Sequence, residues 1–497
     1  MPATLASLGL ADLDCRGPAP DPATPILGLC ADSRETRPGY LFAALKGALD
    51  GAEFAQYAVR MGAAAVLTSA EGAARARADI GSWPAPFLID ENPRRRLALV
   101  AAAFYRAQPE VLLAVTGTNG KTSVASFARQ IFCALGRSAA SFGTVGVEGA
   151  VARPLSMTTP DPITLHRLLA ELAEAGVTHA AMEASSHGLA QYRVDGARLT
   201  GGAFTNLSRD HLDYHKDFDA YLGAKLRLFS ELLPAGAPAV LNSDDAVYPA
   251  AARAAKLLEI IPFGRDREAA RGLRLIDARF DAGGQALDLE WRGAAHRVRL
   301  NLIGGFQGMN AMAAAALTIG AGEEPTAVFS AMEKLTGVRG RMEHVATRAN
   351  GAAIYVDYAH TPGGLATALA ALRLHTPGRL LVVFGAGGDR DRGKRPEMGR
   401  AACVGADMAF VTDDNPRSED PAAIRAAICA ACPNATEIGD RAEAILTAVD
   451  ALSPEDRLLI AGKGHETGQV VGGVTHPFDD AEQARAAVAA LDGGETA

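Results

Sequence analysis

Thr116-Gly117-Thr118-Asn119-Gly120-Lys121-Thr122-Ser123 lies between an apolar run, Val111 to Val115, and an amphipathic segment, Val124 to Leu135. This order predicts a strand, a glycine-rich turn and a helix. Such a turn directs backbone N–H groups and a helix N-terminus at an anion, and its lysine reaches the outer phosphates. The Thr122 hydroxyl is then placed to ligate Mg²⁺. The stretch therefore predicts a nucleoside triphosphate site.

The match to the generic phosphate-loop pattern is incomplete. The pattern G-x-x-x-x-G-K-[ST] requires glycine at position 115, where this chain has Val115. Taken alone, the stretch leaves open an ordinary strand–helix turn that happens to contain a lysine.

Composition limits the class of protein. A length of 497 residues predicts about three domains. The net charge of −8 argues against a nucleic-acid-binding protein, because sequence-independent binding needs a basic surface. Met1 to Leu13 lacks a basic, apolar leader pattern, and the Ala-rich stretch Ala311 to Ala321 is too short to span a bilayer. We predict a cytoplasmic protein, monomeric and without membrane insertion.

Alternation of strands and helices predicts an α/β fold with three domains. Residues 1–108 form a smaller N-terminal α/β domain. Residues 109–336 form a central domain with the phosphate loop on a doubly wound, mostly parallel sheet. Residues 337–497 form a C-terminal Rossmann-like domain. Predicted strands in the last two domains are Thr178 to Met182, Gly202 to Asn206, Pro238 to Asn242, Ala353 to Asp357, Leu380 to Phe384, Met408 to Thr412 and Arg457 to Ala461.

The six cysteines are scattered, and only Cys429 and Cys432 form a C-x-x-C pair. A redox or zinc site would place the pair on a turn or add a second pair. The pair instead ends an Ala-rich predicted helix, Pro421 to Ala431, so ordinary buried or surface thiols are favoured.

Two polar clusters follow predicted strands of the central domain. Glu183 stands at the carboxyl end of an apolar strand, where phosphate-loop enzymes hold Mg²⁺. A solvated glutamate at a strand end is the alternative. His211 and His215 have the spacing of a zinc helix but lack its glutamate and a third ligand, so His211 is kept as a Mg²⁺-side or phosphate-side candidate.

Several motifs in order along the chain resemble the Mur ligases of peptidoglycan synthesis. This family uses the loop GTNGKT without the additional glycine, so Val115 is no longer an objection. The motifs that carry the resemblance are Asp32-Ser33-Arg34, residues 116–123, Glu183-Ala184-Ser185-Ser186-His187-Gly188, residues 206–215, Tyr221-Leu222-Gly223-Ala224-Lys225, Asp357-Tyr358-Ala359-His360-Thr361-Pro362 and Gly462-Lys463-Gly464-His465-Glu466.

Two further signatures resemble the family members that add meso-diaminopimelate rather than lysine. They are residues 387–396 and Asp414-Asn415-Pro416-Arg417. Diaminopimelate carries a distal carboxylate that lysine lacks, and a guanidinium can bind this group bidentately. The alternative for Arg417 is a solvent-facing side chain in a loop.

The resemblance implies an ATP-dependent amide ligase that forms an acyl phosphate on the D-glutamate of UDP-N-acetylmuramoyl-L-alanyl-D-glutamate. Its implied catalytic residues are Lys121, Glu183, His211 and Lys225. Mg²⁺ would be held by Thr122, Glu183, His211 and Lys225, the last carrying a carbamate derived from CO₂. From residue spacing alone, an exposed helix lysine is the preferred alternative for Lys225.

The remaining implied contacts fall into three sets. For ATP they are Gly117, Thr118, Asn119, Gly120, Lys121, Thr122, Ser123, Asn310, Arg341 and Asp357. For the UDP-muramoyl dipeptide they are Ser33, Thr158, Thr159, Ser185, Gln191 and Arg193. For diaminopimelate they are Arg390, Asp414, Asn415, Pro416, Arg417, Gly462 and Glu466.

Three other functions compete with this interpretation. A lysine-adding ligase of the same family is opposed by Arg417 and its neighbours. A folylpolyglutamate synthetase shares the loop but would lack the Asp32-Ser33-Arg34 and Asp414-to-Arg417 motifs. A regulatory NTP-binding protein would need no amino-acid pocket.

Overall fold

A computed structural model describes residues 2–47, 49–80, 85–211 and 214–493. The predicted α/β class is confirmed, because three mainly parallel sheets alternate with helices. By its internal contacts the chain divides into two compact units. The first is Met1–Ile261 with Leu317–Glu323, and the second is Pro262–Ala316 with Glu324–Ala497. The division into three domains, at residues 1–108, 109–336 and 337–497, stays a prediction.

The first unit begins with a five-stranded sheet. Its strands lie in the order Asp14–Arg16, Phe87–Ile89, Ala65–Thr68, Tyr40–Ala43 and Gly28–Cys30, and only the first pair is antiparallel. Helices Ala55–Arg60, Ala70–Ile80 and Pro93–Tyr105 accompany it, with 3₁₀ turns Ser33–Glu35 and Gly51–Phe54 and a small ladder of Ala3–Thr4 with Pro25–Ile26. The glycine and prolines of residues 81–86 predict a loop, of which residues 81–84 lie outside the described residues.

The same unit holds the sheet that carries the phosphate loop. Its strands lie in the order Gly146–Gly149, Ala139–Gly143, His179–Glu183, Val111–Thr116, Gly201–Phe204 and Pro238–Asn242, and Glu259–Gly264 then carries the chain into the second unit. Its helices are Lys121–Ala134, Pro162–Glu174, Ser186–Ala190, Phe218–Arg227 and Tyr248–Ala254. The sequence pattern predicts one helix over residues 218–233, but the α-helix ends at Arg227 and a π-helical turn follows at Leu228–Leu232.

Parallel pairing decides where polar side chains of this sheet meet. Val111–Thr116 lies between His179–Glu183 and Gly201–Phe204, in parallel with both. Leu112, Ala114 and Met182 are fully buried in one apolar cluster on the sheet. Because the carboxyl ends of parallel strands share one edge, the phosphate loop, Glu183 and the segment after Phe204 emerge together.

The second unit contains an antiparallel meander and a six-stranded sheet. The meander is Leu273–Asp281, Gly284–Trp291 and Ala294–Leu300. The sheet has the order Glu343–Thr347, Ala353–Asp357, Arg457–Ala461, Leu380–Phe384, Met408–Val411 and Thr436–Glu437, antiparallel only at its first pair. Its helices are Pro325–Met332, Pro362–Arg373, Lys394–Gly405, Pro421–Cys429, Arg441–Asp450 and Asp480–Leu491, and Gly468–Val471 pairs with Val474–Pro477. Helix Gly305–Gly320 begins in this unit, and its last residues, from Leu317, are assigned to the first.

Within the part of the chain that the structure describes, every helix is too short or too polar to cross a bilayer.

A buried ion pair joins three elements of the second unit. The Arg441 guanidinium donates to both carboxylate oxygens of Asp480 at 2.7 Å and to the Ala461 carbonyl at 3.0 Å. Both charged side chains are fully buried. Removing one member of such a pair leaves an uncompensated charge in the interior.

We therefore expect Asp480→Asn to lower the free energy of unfolding by about 3 kcal/mol, measured by urea denaturation at neutral pH. The control is Glu268→Gln, which breaks the exposed Arg271–Glu268 pair and should cost less than about 1 kcal/mol. Equal losses in both variants would contradict the role given to the buried pair.

Candidate functional site

The phosphate loop is held in shape by the segment that follows the neighbouring strand. Gly117 and Gly120 have φ angles of 141° and 88°, which side chains rarely adopt. A Cβ on Gly117 would lie 1.9 Å from the Thr205 hydroxyl. Asn206 accepts from the backbone N–H of Thr118 at 2.8 Å through its carbonyl, and from that of Asn119 at 3.0 Å through its side chain. Hydrogen bonds to the backbone and side chain of Asn206 therefore stabilise the loop conformation.

Helix Lys121–Ala134 starts directly at this loop. Its N-cap is Gly120, so no side chain caps the first turn. Thr122 and Ser123 in that turn are buried, at 7% and 3% exposure. The helix N-terminus and the loop N–H groups form an arrangement suited to phosphate oxygens.

Two lysines converge on one carbonyl of the loop. Lys121 donates to the carbonyls of Gly117 and Thr118 at 3.1 and 2.9 Å. Lys225 donates to the same Gly117 carbonyl at 2.6 Å and is only 1% exposed. The exposed-lysine alternative for Lys225 is therefore wrong.

Burial, and next the charge of Lys121, lower the pKa of Lys225 to about 6, against a smaller opposing effect of Asp210. The low-dielectric surroundings disfavour an ammonium, and a second positive charge adds to the cost. At neutral pH most Lys225 side chains are therefore uncharged amines. A neutral amine is a nucleophile, whereas an ammonium is not.

Tyr221 contacts both Lys225 and the phosphate loop. The two residues lie one turn apart on helix Phe218–Arg227, which Asp217 caps by accepting from the Ala220 N–H. The Lys225 nitrogen lies 4.5 Å from the centre of the Tyr221 ring. The Tyr221 hydroxyl lies 3.1 Å from the Thr118 hydroxyl. Tyr221 is part of a sequence motif, but the sequence analysis gave it no function. Its spacing of four residues from Lys225 could have indicated that the two side chains lie on the same face of a helix.

Glu183 is enclosed by the adjacent strand end. It is 2% exposed, and its carboxylate accepts from the Thr144 N–H at 2.7 Å and the Thr144 hydroxyl at 3.2 Å. A Cβ on Gly143 would lie 2.1 Å from this carboxylate, so the absence of a side chain at position 143 leaves room for Glu183. The solvated alternative is therefore wrong. Thr144 was missed because it lies 39 residues away along the chain.

The donor set fits a shared Mg²⁺ site rather than a complete protein cage. No three His, Cys, Asp or Glu side chains converge on a possible metal position within residues 2–47, 49–80, 85–211 and 214–493. Mg²⁺ commonly takes one or two carboxylates and completes its shell with substrate phosphates and water. Buried Glu183 and the Thr122 hydroxyl carry oxygen atoms of the type that Mg²⁺ prefers.

His211 belongs to a ring cluster beside Tyr221. Its ring centre is 4.8 Å from that of His187 and 6.1 Å from that of Tyr221. Its Nε2 is 3.6 Å from Asp210, and its backbone is left-handed, with φ of 52°. His211 is exposed, unlike Lys225 and Glu183. Residues 212 and 213 of its motif lie outside the described residues.

Five of the six residues predicted to bind the UDP-muramoyl dipeptide form one hydrogen-bonded group. Thr159 donates to the Glu183 carbonyl at 2.9 Å, and accepts from the Ser185 N–H at 2.9 Å. Arg193 donates to the Thr159 carbonyl at 2.7 Å and to Gln191 at 2.8 Å. The Thr158 hydroxyl lies 3.1 Å from that of Thr144, which binds Glu183. The group is thus linked to Glu183 in two ways, through its backbone carbonyl by Thr159 and through its carboxylate by way of Thr144.

Ser33 lies apart from this group in the N-terminal sheet region. It is 9% exposed and starts a 3₁₀ turn capped by the Asp32 carboxylate. The structure shows no hydrogen bond between Ser33 and the other five residues among those it describes.

In the second unit, Asn415 is the centre of a polar pocket. Its side-chain oxygen accepts from the Lys463 ammonium at 3.0 Å and from the Val470 N–H at 2.9 Å. Its amide nitrogen therefore faces Glu466 and donates to it at 3.0 Å. Lys463, fully buried, was quoted in a motif but not predicted as a site residue.

This pocket combines acidic groups with an arginine. Burial raises the pKa of Glu466, and the nearby Asp414 carboxylate adds to the rise against the Asn415 hydrogen bond. Asp414 is 7% exposed, and a Cβ on Gly462 would lie 2.5 Å from it. Two neighbouring carboxylates of this kind favour a cationic ligand.

Arg417 is fixed against the loop that contains Arg390. It donates to the Gly388 carbonyl at 2.8 Å, and its φ of 53° is left-handed. Its backbone N–H donates to the Val470 carbonyl at 3.0 Å. Pro416 precedes it and is buried, whereas Arg390 is exposed. Arg417 is therefore partly buried and hydrogen-bonded to the neighbouring loop, and is not a fully solvent-exposed side chain.

Gln307 links two of the three residues of this unit that are predicted to contact ATP, Asn310 and Arg341. Gln307 donates to the Arg341 carbonyl at 2.9 Å and accepts from Asn310 at 3.1 Å. Asp357 accepts from the Met342 N–H at 2.7 Å. Loss of hydration raises the pKa of Asp357, and the Arg341 guanidinium opposes this shift.

Three family models match successive parts of the chain. They are described as Mur ligase family, catalytic domain, over residues 25–105; Mur ligase middle domain, over residues 115–318; and Mur ligase, glutamate ligase domain, over residues 340–464.

Curated relatives are similar over almost the full length. A UDP-N-acetylmuramoyl-L-alanyl-D-glutamate–2,6-diaminopimelate ligase of Caulobacter vibrioides is 50% identical, covering 97% of this chain and 99% of the relative. The enzyme of the same name from Bradyrhizobium diazoefficiens is 52% identical, covering 94% and 96%. A solved structure with that name has a TM-score of 0.74 and 33% identity, covering 99% of both chains. The chain belongs to the Mur ligase family.

Proposed function

We propose that this protein is an ATP-dependent ligase that joins meso-diaminopimelate to the D-glutamate of UDP-N-acetylmuramoyl-L-alanyl-D-glutamate. It would do so in the cytoplasm, as a step of peptidoglycan precursor synthesis. The observation that carries the proposal is the pocket of Asp414, Asn415, Arg417 and Glu466, which combines acidic and cationic groups. A diamino dicarboxylic acid carries both charges. The names of the 50%-identical relatives support the same activity.

The phosphate loop would bind ATP through its N–H groups and the start of helix Lys121–Ala134. Lys121, which in this structure contacts loop carbonyls, would turn to the outer phosphates. Thr122 and Glu183 would hold Mg²⁺, which supplies charge neutralisation when two anions meet. His211, at the edge of the site, would lie on the phosphate side.

Lys225 would carry a carbamate. Its neutral amine attacks the carbon of CO₂, forming a C–N bond and releasing one proton. The product is an anion in place of a potential cation, and its oxygens suit Mg²⁺. The pKa of about 6 supports this step, because the amine is largely uncharged at neutral pH.

The reaction would proceed in two displacements. The D-glutamate carboxylate attacks the γ-phosphorus of ATP, forming an acyl phosphate and releasing ADP. The amine of diaminopimelate then attacks the acyl carbon, forming the amide and releasing phosphate. The chain's own part is to hold the two anions together and to exclude competing water.

Substrate contacts would follow the three predicted sets. Thr158, Thr159, Ser185, Gln191 and Arg193 offer hydroxyls, an amide and a guanidinium for the UDP-muramoyl dipeptide, with Ser33 at the uridine side. Arg390 and Arg417 would bind carboxylates of diaminopimelate, Glu466 and Asp414 its distal ammonium, and Asn415, Pro416 and Gly462 would shape the pocket. Asn310, Arg341 and Asp357 would contact ATP.

The test is product formation by the purified protein with ATP, Mg²⁺ and the muramoyl dipeptide. With meso-diaminopimelate we expect a tripeptide product of the correct mass, together with equal amounts of ADP and phosphate. With L-lysine we expect little product, because the distal carboxylate is missing. Absence of product with both amino acids would contradict the ligase proposal. Preference for lysine would contradict only the assignment of diaminopimelate.

Arg417→Lys tests the specificity directly. It keeps one positive charge but removes the planar, two-pronged donor. We expect kcat/KM for meso-diaminopimelate to fall at least ~100-fold, mainly through KM, with little change in KM for ATP. The measurement is steady-state kinetics with each substrate varied in turn.

Arg392→Lys is the matched control, because Arg392 lies in the adjacent loop and its side chain is 76% exposed. It should leave KM for meso-diaminopimelate within about twofold of the parent value. An equal effect of both substitutions would argue against carboxylate binding by Arg417.

A further inference from the structure

A buried histidine of the second unit, His375, follows helix Pro362–Arg373 and is 1% exposed. Its ring joins two segments that lie far apart along the chain. The Gly304 N–H donates to the Nε2 atom at 2.9 Å, and the Nδ1 atom lies 2.7 Å from the Asp281 carbonyl oxygen. The Phe280 ring packs against it edge-on, with 5.3 Å between the ring centres. Both ring nitrogens thus have a backbone partner.

The two partners fix the protonation state of the imidazole. A backbone N–H can only donate, so Nε2 carries no proton, and a carbonyl oxygen can only accept, so Nδ1 carries one. Loss of hydration lowers the pKa of His375, although the Asp281 carbonyl opposes this shift. His375 is therefore a neutral group with one donor and one acceptor, each bound to a different segment.

The bond to Gly304 acts on the start of the next helix. Gly304 directly precedes helix Gly305–Gly320 and has a left-handed φ of 93°. Its N–H is held by His375, while its carbonyl accepts from the Gln285 side chain and from the Gln307 N–H, each at 2.9 Å. Because both polar groups of Gly304 are bound, the point at which the helix begins is fixed.

This helix start carries two of the buried polar side chains on the nucleotide side. Gln307 and Asn310 lie in its first two turns and are 1% and 8% exposed. Asn310 donates to the Gln307 side chain at 3.1 Å, and Gln307 donates to the Arg341 carbonyl at 2.9 Å. A shift of the helix start would therefore displace both amides and break their link to Arg341.

We propose that His375 is a positioning residue for ATP binding. Its Nε2 atom holds the Gly304 N–H and thereby sets the positions of Gln307 and Asn310 at the nucleotide. The bond to Asp281 orients the ring and does not act on the helix. This role rests on the proposed function, in which Asn310 contacts ATP. The two hydrogen bonds of the ring thus have different consequences, which substitutions can separate.

His375→Gln and His375→Asn keep one bond each. A glutamine amide extends about as far as Nε2, so its oxygen can accept from the Gly304 N–H. An asparagine amide extends about as far as Nδ1, so its nitrogen can donate to the Asp281 carbonyl but the Gly304 N–H loses its acceptor. Because a buried donor without a partner is costly, the helix start shifts only in His375→Asn.

The test is steady-state kinetics of ligation, with ATP varied and the other two substrates saturating. We expect KM for ATP to rise about tenfold in His375→Asn and less than about threefold in His375→Gln. In both variants kcat and KM for meso-diaminopimelate should stay within about twofold of the parent values. An equal KM for ATP in the two folded variants, or the larger rise in His375→Gln, would overturn the proposal.

The control is His476→Asn, which changes an exposed histidine of the same unit and should leave every KM within about twofold of the parent value. Circular dichroism and melting temperature establish that each variant is folded. A parent protein that forms no product would contradict the proposed ligase function, whereas an active parent with indistinguishable variants would contradict only the role of His375.

Hydrogen exchange in the unaltered protein is a second measurement, which needs no folded variant. We expect ATP with Mg²⁺ to slow amide exchange both in the phosphate loop, residues 116–123, and in residues 303–310. Slower exchange in the loop alone would show that the helix start takes no part in ATP binding and would overturn the proposal. Unchanged exchange in both segments would contradict ATP binding itself.

Discussion

The hydrogen bond from the Lys225 side chain to the Gly117 carbonyl is the contact on which the nucleotide side of this protein depends. It places a buried amine directly behind a loop whose own lysine, Lys121, binds the same carbonyl. Two ammonium groups at this spacing, with little water, would be costly. The lower-energy state keeps Lys225 neutral, and a neutral amine can react with CO₂. One electrostatic constraint thus explains both the burial of a lysine and its proposed chemistry.

A comparable constraint orders the residues of the second unit that we propose bind diaminopimelate. Buried Lys463 and the Val470 N–H both point at the Asn415 side-chain oxygen, so the amide nitrogen must face Glu466. Arg417 is fixed by the Gly388 carbonyl in a strained backbone conformation. A pocket whose polar groups are fixed before the ligand arrives discriminates strongly, because a ligand lacking one charge leaves a partner unsatisfied. This favours diaminopimelate over lysine.

Local patterns predicted much of the fold. Strands Pro238–Asn242, Ala353–Asp357 and Leu380–Phe384 have the predicted bounds, because short apolar runs between turn residues leave little choice. Gly117 and Gly120 predicted the phosphate loop, because glycine readily adopts the positive φ angles that such a turn needs. Both residues have positive φ angles in the structure. The π-helical turn after Arg227 was not predicted, because its apolar pattern continues that of the preceding helix.

The residues that sequence reasoning missed are those whose role comes from packing. Thr144 reaches Glu183 only because strand pairing aligns two distant segments. Lys463 acts through the orientation of Asn415, which no spacing along the chain encodes. The exposure of Lys225 was likewise undecidable from its helix, because a lysine on the buried face and one on the solvent face have the same neighbours in sequence.

The most direct test of the central claim is the state of Lys225 itself. The protein would be equilibrated with ¹³C-labelled bicarbonate and examined by ¹³C NMR at pH about 7.5 and about 5. Since its pKa is lowered to about 6, Lys225 is neutral above that pH and protonated below it. We expect a carbamate signal at the higher pH that disappears at the lower one and is absent from Lys225→Ala. A signal unaffected by that substitution, or no signal at the higher pH, would contradict the account.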